Sequence, residues 1–304
     1  MPKGRVKKNR SLNFQNKEAF LFLSPWLLGL LIFSIIPMVS SLYLSFTDYN
    51  MLTSPNFVGV KNYIDMFQRD KFFWPAVKAT GIYVFLGVPL QLTAALLLAL
   101  LLKGGVRGIG LFRSIFYVPS LIGGSVAIAV IWRQMFGMDG IINQFLSLFS
   151  PEKVNISWIA HPTYGIFTLV ILLIWQFGSP MLIFLAAIKQ IPPEFYESAQ
   201  IDGANPFQNF FYITLPSISG VLLFNLIMQI ISAFKAFTPA YVIGGVQGGT
   251  MNSMLFYTLH LYNQAFGDYQ MGYASALAWV LFLIISIFTA IIFATSSKWV
   301  NYNE

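Results

Sequence analysis

Six stretches of this chain are each apolar for the length of a bilayer crossing, and that limits the fold more than any other feature. They run approximately over Ala19–Leu44, Trp74–Leu102, Ile109–Trp132, Tyr164–Ile188, Leu215–Ala236 and Gly272–Thr295. A spanning helix needs roughly 20 mostly apolar residues, because only a helix or a closed barrel satisfies its backbone groups in hydrocarbon. Pro25, Pro37, Pro89, Pro119 and Pro180 fall inside these stretches. Membrane helices tolerate them, since neighbours re-satisfy the freed backbone groups. Composition agrees: 10% of residues are charged and 57% hydrophobic, against roughly 25% charged in a soluble domain. The mean hydropathy is +0.68. The expected class is an all-α integral membrane protein with about six transmembrane helices. The first stretch is too long for a cleavable signal and has no small-residue cleavage site after it, so it reads as a retained anchor.

Charge sets the orientation. With the N-terminus inside, the inner segments hold Lys3, Arg5, Lys7, Lys8, Arg10, Lys17, Lys103, Arg107, Arg113, Lys189 and Lys298. The outer segments and span ends hold Lys61, Arg69, Lys71, Lys78, Arg133, Lys153 and Lys235. The inner excess predicts N-in and C-in. Residues 1–18 then form a basic cytoplasmic tail that sets topology and can touch anionic membrane lipid, and residues 19–304 form the transmembrane domain. Trp74 and Trp132 fall at outer span ends and Trp26 near an inner one, as an aromatic belt would place them. There is no cysteine, which excludes disulfides and thiolate chemistry. The two histidines, His161 and His260, lack metal-ligand spacing and read as loop or interface residues, so no metal site is expected.

One polar segment interrupts the oil at residues 189–216. Ile191-Pro192-Pro193 opens it, with proline suited to a first helical turn. Glu194 and Glu197 lie where the helix dipole favours acids, and Gly203 fits a left-handed C-terminus. Asn205-Pro206 reads as a cap and first turn of a second helix carrying Phe207, Phe210, Phe211 and Ile213 into the fifth span. The segment is a helix, a glycine turn and a helix on the cytoplasmic side. It is either a structural loop under the bundle or a docking knob. Its net charge of −2, from Lys189 against Glu194, Glu197 and Asp202, excludes nucleic acid, whose phosphates need the opposite sign. Its acids, with no His, Cys or metal ligands nearby, make no catalytic constellation.

The run ESAQIDGANPFQNFFYITLP, from Glu197, resembles the EAA motif of ATP-binding cassette (ABC) importer permeases. Glu197, Ala199, Asp202, Gly203, Ala204, Leu215 and Pro216 match the pattern, and Ser198 replaces an alanine. SPWLLGLLIFSIIPMVSSLYLSFTDYN, FYVPSLIGGSVAIAVIWRQMFG and FKAFTPAYVIGGVQGG are similar to the carbohydrate, maltose-type branch of that family. The outer loop after the first span is short, without the extra spans and outer domain of the maltose subunit. The resemblance implies the type I (MetI-like) importer permease fold in a bacterial cytoplasmic membrane. It implies an insert that docks in a groove of a partner ATPase, with Glu197, Ser198, Ala199, Asp202, Gly203, Ala204 and Pro216 as the coupling residues. It also implies two ATPase subunits, a second and different permease chain making a heterodimer, and an extracellular solute-binding protein. The chain has no GxxxxGK[ST] phosphate loop, since GGVRGIG at 104–110 lacks the spacing and the terminal Lys-Ser/Thr. ATP and magnesium are therefore expected on the partner ATPase, with no cofactor and no catalytic residue on this chain.

Asn225, Gln229 and Ser232 recur at i, i+4 and i+7, so they share a helical face. Trp175 and Gln176 lie near mid-span, and Phe234, Phe237 and Tyr241 at the outer end of the fifth span. Amides and rings suit a sugar; the same stripe also serves as polar glue between helices. Lys235 suits an acidic sugar or snorkels to the surface, and does not choose between them. Gly272, Ala274 and Ala278 suit close helix packing. The expected function is import of a sugar or oligosaccharide by alternating access. The alternatives are import of another solute, such as a polyol phosphate or a peptide, and an ion-coupled secondary transporter. The last would want a buried paired acid at mid-membrane, whereas all eleven acids fall in loops, tails or span ends.

Overall fold

In the computed structural model, residues 11–104 and 108–301 are described, with side chains from residue 19 onward. Residues 1–10 of the expected basic tail, and Arg107, lie outside them. Among the described residues, three helices are long and apolar enough to cross a bilayer: Ala19–Leu44, Phe73–Lys103 and Met271–Ser296. Three more candidates are bent pairs: Ile109–Ile122 with Val126–Met135 at 98°, Tyr164–Trp175 with Gly178–Lys189 at 40°, and Pro206–Ser217 with Ser219–Phe234 at 70°. Counting each pair as one span gives the expected six. Among the described residues the first helix is continuous from Ser11, ahead of the Ala19–Leu44 span.

The breaks have local causes. Gly123-Gly124 interrupts the third span, and Ser125 restarts it by accepting a hydrogen bond from the Ile128 N–H onto its Oγ, 3.3 Å. The widened turns Leu31–Ile35 and Asn209–Thr214 each lie two residues before a proline, Pro37 and Pro216. A proline donates no hydrogen bond back along the helix and its ring crowds the preceding turn, and a wider turn accommodates both defects.

The second span, Phe73–Lys103, is the central helix and packs against both halves of the fourth span and against the fifth. Its buried face carries Ala76, Ala79, Val84, Val88, Leu92, Ala95 and Ala99. Phe184, Met181, Leu169 and Leu172 meet it from the fourth span, and Phe256 and Tyr257 from the segment before the sixth. Gly272 is packed as closely as expected: a Cβ there would come within 2.2 Å of the Thr47 carbonyl. The first span has no buried residue in its most apolar window, as suits a helix facing lipid or another chain. Trp26 and Trp74 are exposed. Trp132 is not a belt residue. It is buried, and its indole N–H donates to the Thr168 carbonyl at 2.9 Å.

Candidate functional site

The insert helix runs Pro193–Ile201, with Pro193 in its first turn and Glu194 beside it. Its C-terminus closes with two reverse hydrogen bonds. The Gly203 N–H donates to the Gln200 carbonyl at 3.1 Å, and the Ala204 N–H to the Ala199 carbonyl at 2.9 Å. This is a Schellman cap, and Gly203 holds the left-handed conformation it needs, φ +78°. Asn205 then starts the next helix. Its Oδ1 accepts from the Gln208 N–H at 2.9 Å, while Gln208 Oε1 accepts from the Asn205 N–H at 2.7 Å. Asn205 was expected as the cap; its reciprocal partner Gln208 was not, although the Asn-x-x-Gln spacing encodes it.

The insert presents much of its surface outward. Glu197, Ser198, Asp202 and Gly203 are exposed, while Ala199, Ala204 and Pro216 are half-buried. Ile201 is 87% and Tyr212 80% exposed. Large apolar side chains of the insert are therefore left uncovered within this chain. Inward, the Tyr196 hydroxyl shares a 2.9 Å hydrogen bond with Thr214 Oγ1, and the Lys103 ammonium sits 3.6 Å over its ring. That tie between the insert, the second span and the fifth was not read from the sequence.

At the far end of the fifth span lies a cavity of about 400 Å³. Gln176, Gln229, Ser232 and Phe237 line it. The other four candidates do not. Asn225 is buried and donates to its own helix at the Val221 carbonyl, 3.1 Å. Trp175 packs on Trp132, with ring centroids 5.9 Å apart. Phe234 is wedged between Phe85 and Phe288, at 6.2 and 5.8 Å. Tyr241 stacks behind Phe237 at 5.3 Å. The i, i+4, i+7 stripe splits because Asn225 turns into packed helix, whereas Gln229 and Ser232 border open space.

The cavity also takes in Gln91, Ser120, Ser179 and Lys235, and three of these build its floor. The fourth span breaks at Gln176-Phe177, which frees the Gln176 carbonyl. Gln91 Nε2 donates to that carbonyl at 3.0 Å and Ser120 Oγ at 2.8 Å. Ser120 Oγ accepts in turn from the Ser179 N–H at 2.9 Å. The approach is close: a Cβ on Gly178 would stand 2.4 Å from the Phe116 carbonyl. Gln91 Oε1 is buried and accepts nothing. A lone amide inside an otherwise oily second span was the available signal for Gln91.

Before the second span, Asp70 Oδ2 accepts from His260 Nε2 at 2.6 Å and from the Tyr273 hydroxyl at 2.5 Å. Its Oδ1 caps the Phe72 and Phe73 N–H groups, 2.8 and 3.2 Å. Burial pushes the Asp70 carboxyl up, but the His260 and Tyr273 hydrogen bonds and the His260 charge outweigh it and hold the group below the ordinary carboxylate range. His260 is thus a buried partner, not a plain loop residue. His161 does lie in a loop, where its Nδ1 accepts from the Thr163 and Tyr164 N–H groups.

Residues 79–301 match the family described as binding-protein-dependent transport system inner membrane component. The chain is 48% identical over 299 residues to the probable ABC transporter permease protein YesP of Bacillus subtilis (strain 168), covering 98% of this chain and 96% of that one. It is 30% identical to the lactose transport system permease protein LacF of Rhizobium radiobacter, with 90% and 92% covered. Among solved structures, a chain of a bacterial alginate ABC transporter, in complex with an alginate pentasaccharide-bound periplasmic protein, superposes with a TM-score of 0.77. That likeness spans 95% of this chain and 98% of the other at 21% identity, and shows a shared fold. Matched over most of its length, this multi-pass chain belongs to the family of binding-protein-dependent transport system inner membrane components.

Proposed function

We propose that this chain is a permease subunit of an ABC importer that carries a sugar or oligosaccharide across the bacterial cytoplasmic membrane by alternating access. The family membership supports the permease role, and the lactose permease relative supports the sugar class. The observation that carries the reading is the pairing of two features on one helix. Ser219–Phe234 has 16 residues, roughly 24 Å at 1.5 Å per residue. The capped, exposed insert lies before it, and Gln229 and Ser232 in its last turns, with Phe237 just beyond, line the cavity of amides and hydroxyls.

Partner ATPases, with ATP and magnesium, dock on the exposed insert through Glu197, Ser198, Ala199, Asp202, Gly203 and Ala204. Their closure moves the insert, and Pro216 and the bend at Ile218 pass that motion to the fifth span. A second permease chain completes the pathway, and an external binding protein delivers the solute. Gln229, Gln176 and Ser232 take its hydroxyls and Phe237 stacks on its C–H face. A cavity of this size falls in the range of small-ligand sites. Binding biases the cycle only by its difference in affinity for the inward and outward states.

The test is purification of the tagged chain from its own membranes, followed by reconstitution. Co-purification of an ABC ATPase and a second EAA-bearing permease, with ATP-dependent sugar uptake, is expected. A chain that isolates alone and transports without ATP overturns the reading.

A further inference from the structure

We infer that the solute carried by this chain bears a carboxylate on a hydroxyl-rich body, and that Lys235 receives the carboxylate. This rests on the sugar-importer reading and narrows it. Among the described residues, this chain's cavity wall carries the amides of Gln91, Gln176 and Gln229, several serine hydroxyls, one charged residue, Lys235, and no aspartate or glutamate. Among the described residues the ion pairs are Arg69–Asp65 and His260–Asp70, neither of which involves Lys235.

A lysine after the last helical turn also complements the helix dipole. That accounts for a cation at this helix end, but not for its lying on the cavity wall. Lys235 is exposed on that wall, and although its ammonium can donate to the hydroxyls of a neutral sugar, only an anionic solute answers its charge. When the site closes, the ammonium loses water and pays the desolvation cost of an unpaired charge. A solute carboxylate removes that penalty and adds a charge-assisted hydrogen bond. One ammonium, with no arginine fork or second cation on the wall, matches a single negative charge better than a phosphate dianion. The hydroxyl-rich body of the solute meets the exposed Ser232 hydroxyl and the half-buried Gln229 amide on the same wall.

The experiment uses the complete importer in proteoliposomes with its own binding protein. The probes are a uronic acid trisaccharide and the same trisaccharide with its carboxyls reduced to alcohols. The wild type is expected to take up the uronate in preference and to raise its ATPase rate with it. Lys235→Met is expected to lower uronate uptake about tenfold or more, as for a lost charged hydrogen bond, and Lys235→Arg to restore most of it. The binding protein's own affinity, measured separately, does not change. If Lys235→Met fails to assemble, Lys235→Gln replaces it. Equal uptake by the neutralised variant, or a wild-type preference for the reduced sugar, overturns the inference and leaves the sugar reading standing. An assembled, ATP-hydrolysing complex that moves neither saccharide takes the sugar reading down with it.

Discussion

The Lys103 ammonium lies 3.6 Å from the centroid of the Tyr196 ring, and the same tyrosine shares a 2.9 Å hydrogen bond with Thr214. Tyr196 belongs to the insert helix, Lys103 ends the second span, and Thr214 sits four residues before the bend that opens the fifth. A cation over a ring contributes roughly 0.5–2 kcal/mol, and the hydrogen bond roughly another 1. Either loss alone is small against the stability of the bundle, yet both join the insert to the spans that the proposed coupling would move. Tyr196→Leu is expected to leave the complex assembled and its ATPase active while reducing solute moved per ATP several-fold. Tyr196→Phe keeps the ring and loses only the hydrogen bond, so it should lie between. An unchanged transport-to-ATP ratio in Tyr196→Leu would show that the contact is packing alone.

Gly203 makes the sharpest backbone demand in the insert. At φ +78° with open space around it, a side chain there meets no neighbour, so any penalty is conformational. A β-branched residue in the left-handed region costs roughly 1–2 kcal/mol or more. Gly203→Val should therefore unwind the Schellman cap, abolish uptake and leave the protein in the membrane. Gly203→Asn, which tolerates this conformation, should retain much of the activity. Uptake assays beside membrane blots decide it, and wild-type uptake in Gly203→Val removes the coupling role of the turn.

Much of this was legible in the sequence, for reasons that differ by element. The spans were, because hydrocarbon thickness forces a run of apolar residues whatever the fold. The turn at Gly203 and the cap at Asn205 were, because each depends on a few adjacent residues. The breaks in the third and fourth spans were not. Gly123-Gly124 and Gly178 are as compatible with straight, closely packed membrane helices as with bends, and the close approach of Gly178 to Phe116 exists only in three dimensions. The cavity was half legible. Helical spacing brought Gln229 and Ser232 to one face, but it also included Asn225, which the packing buries. Gln91 stands 85 residues from the carbonyl it binds, and no local pattern joins them.

Asp70 ties the first outer loop to His260 and to the start of the sixth span. Its folded-state pKa lies below the ordinary value of 3.8. Its stabilising contribution is thus fully present above the unfolded value and is lost as pH falls through the folded one. The difference in thermal midpoint between wild type and Asp70→Asn should be largest near neutral pH and should close only below about pH 4. Thermal unfolding of the detergent-purified pair across that range tests it. A gap that vanishes at pH 6 would place the titrating group elsewhere.

Ser120 has two duties at the break in the fourth span: its Oγ donates to the Gln176 carbonyl and accepts from the Ser179 N–H. Ser120→Ala removes a methyl-sized volume of oxygen and leaves a backbone donor without its partner. The carbonyl keeps its second donor, Gln91, so the cost falls mainly on the Ser179 N–H. Ser179 is half-buried on the cavity wall, so water takes up part of the lost bond and the cost is nearer the ~1 kcal/mol of an ordinary hydrogen bond. Ser120→Ala should lower the thermal midpoint by several degrees. Gln91→Leu should do the same and also reduce uptake, because it removes a cavity-lining amide as well as a donor. The double variant strips both donors from one carbonyl, so its loss should exceed the sum of the two singles. Strict additivity in that cycle would mean that the two side chains act on the bend independently and that the Gln176 carbonyl is not their common point.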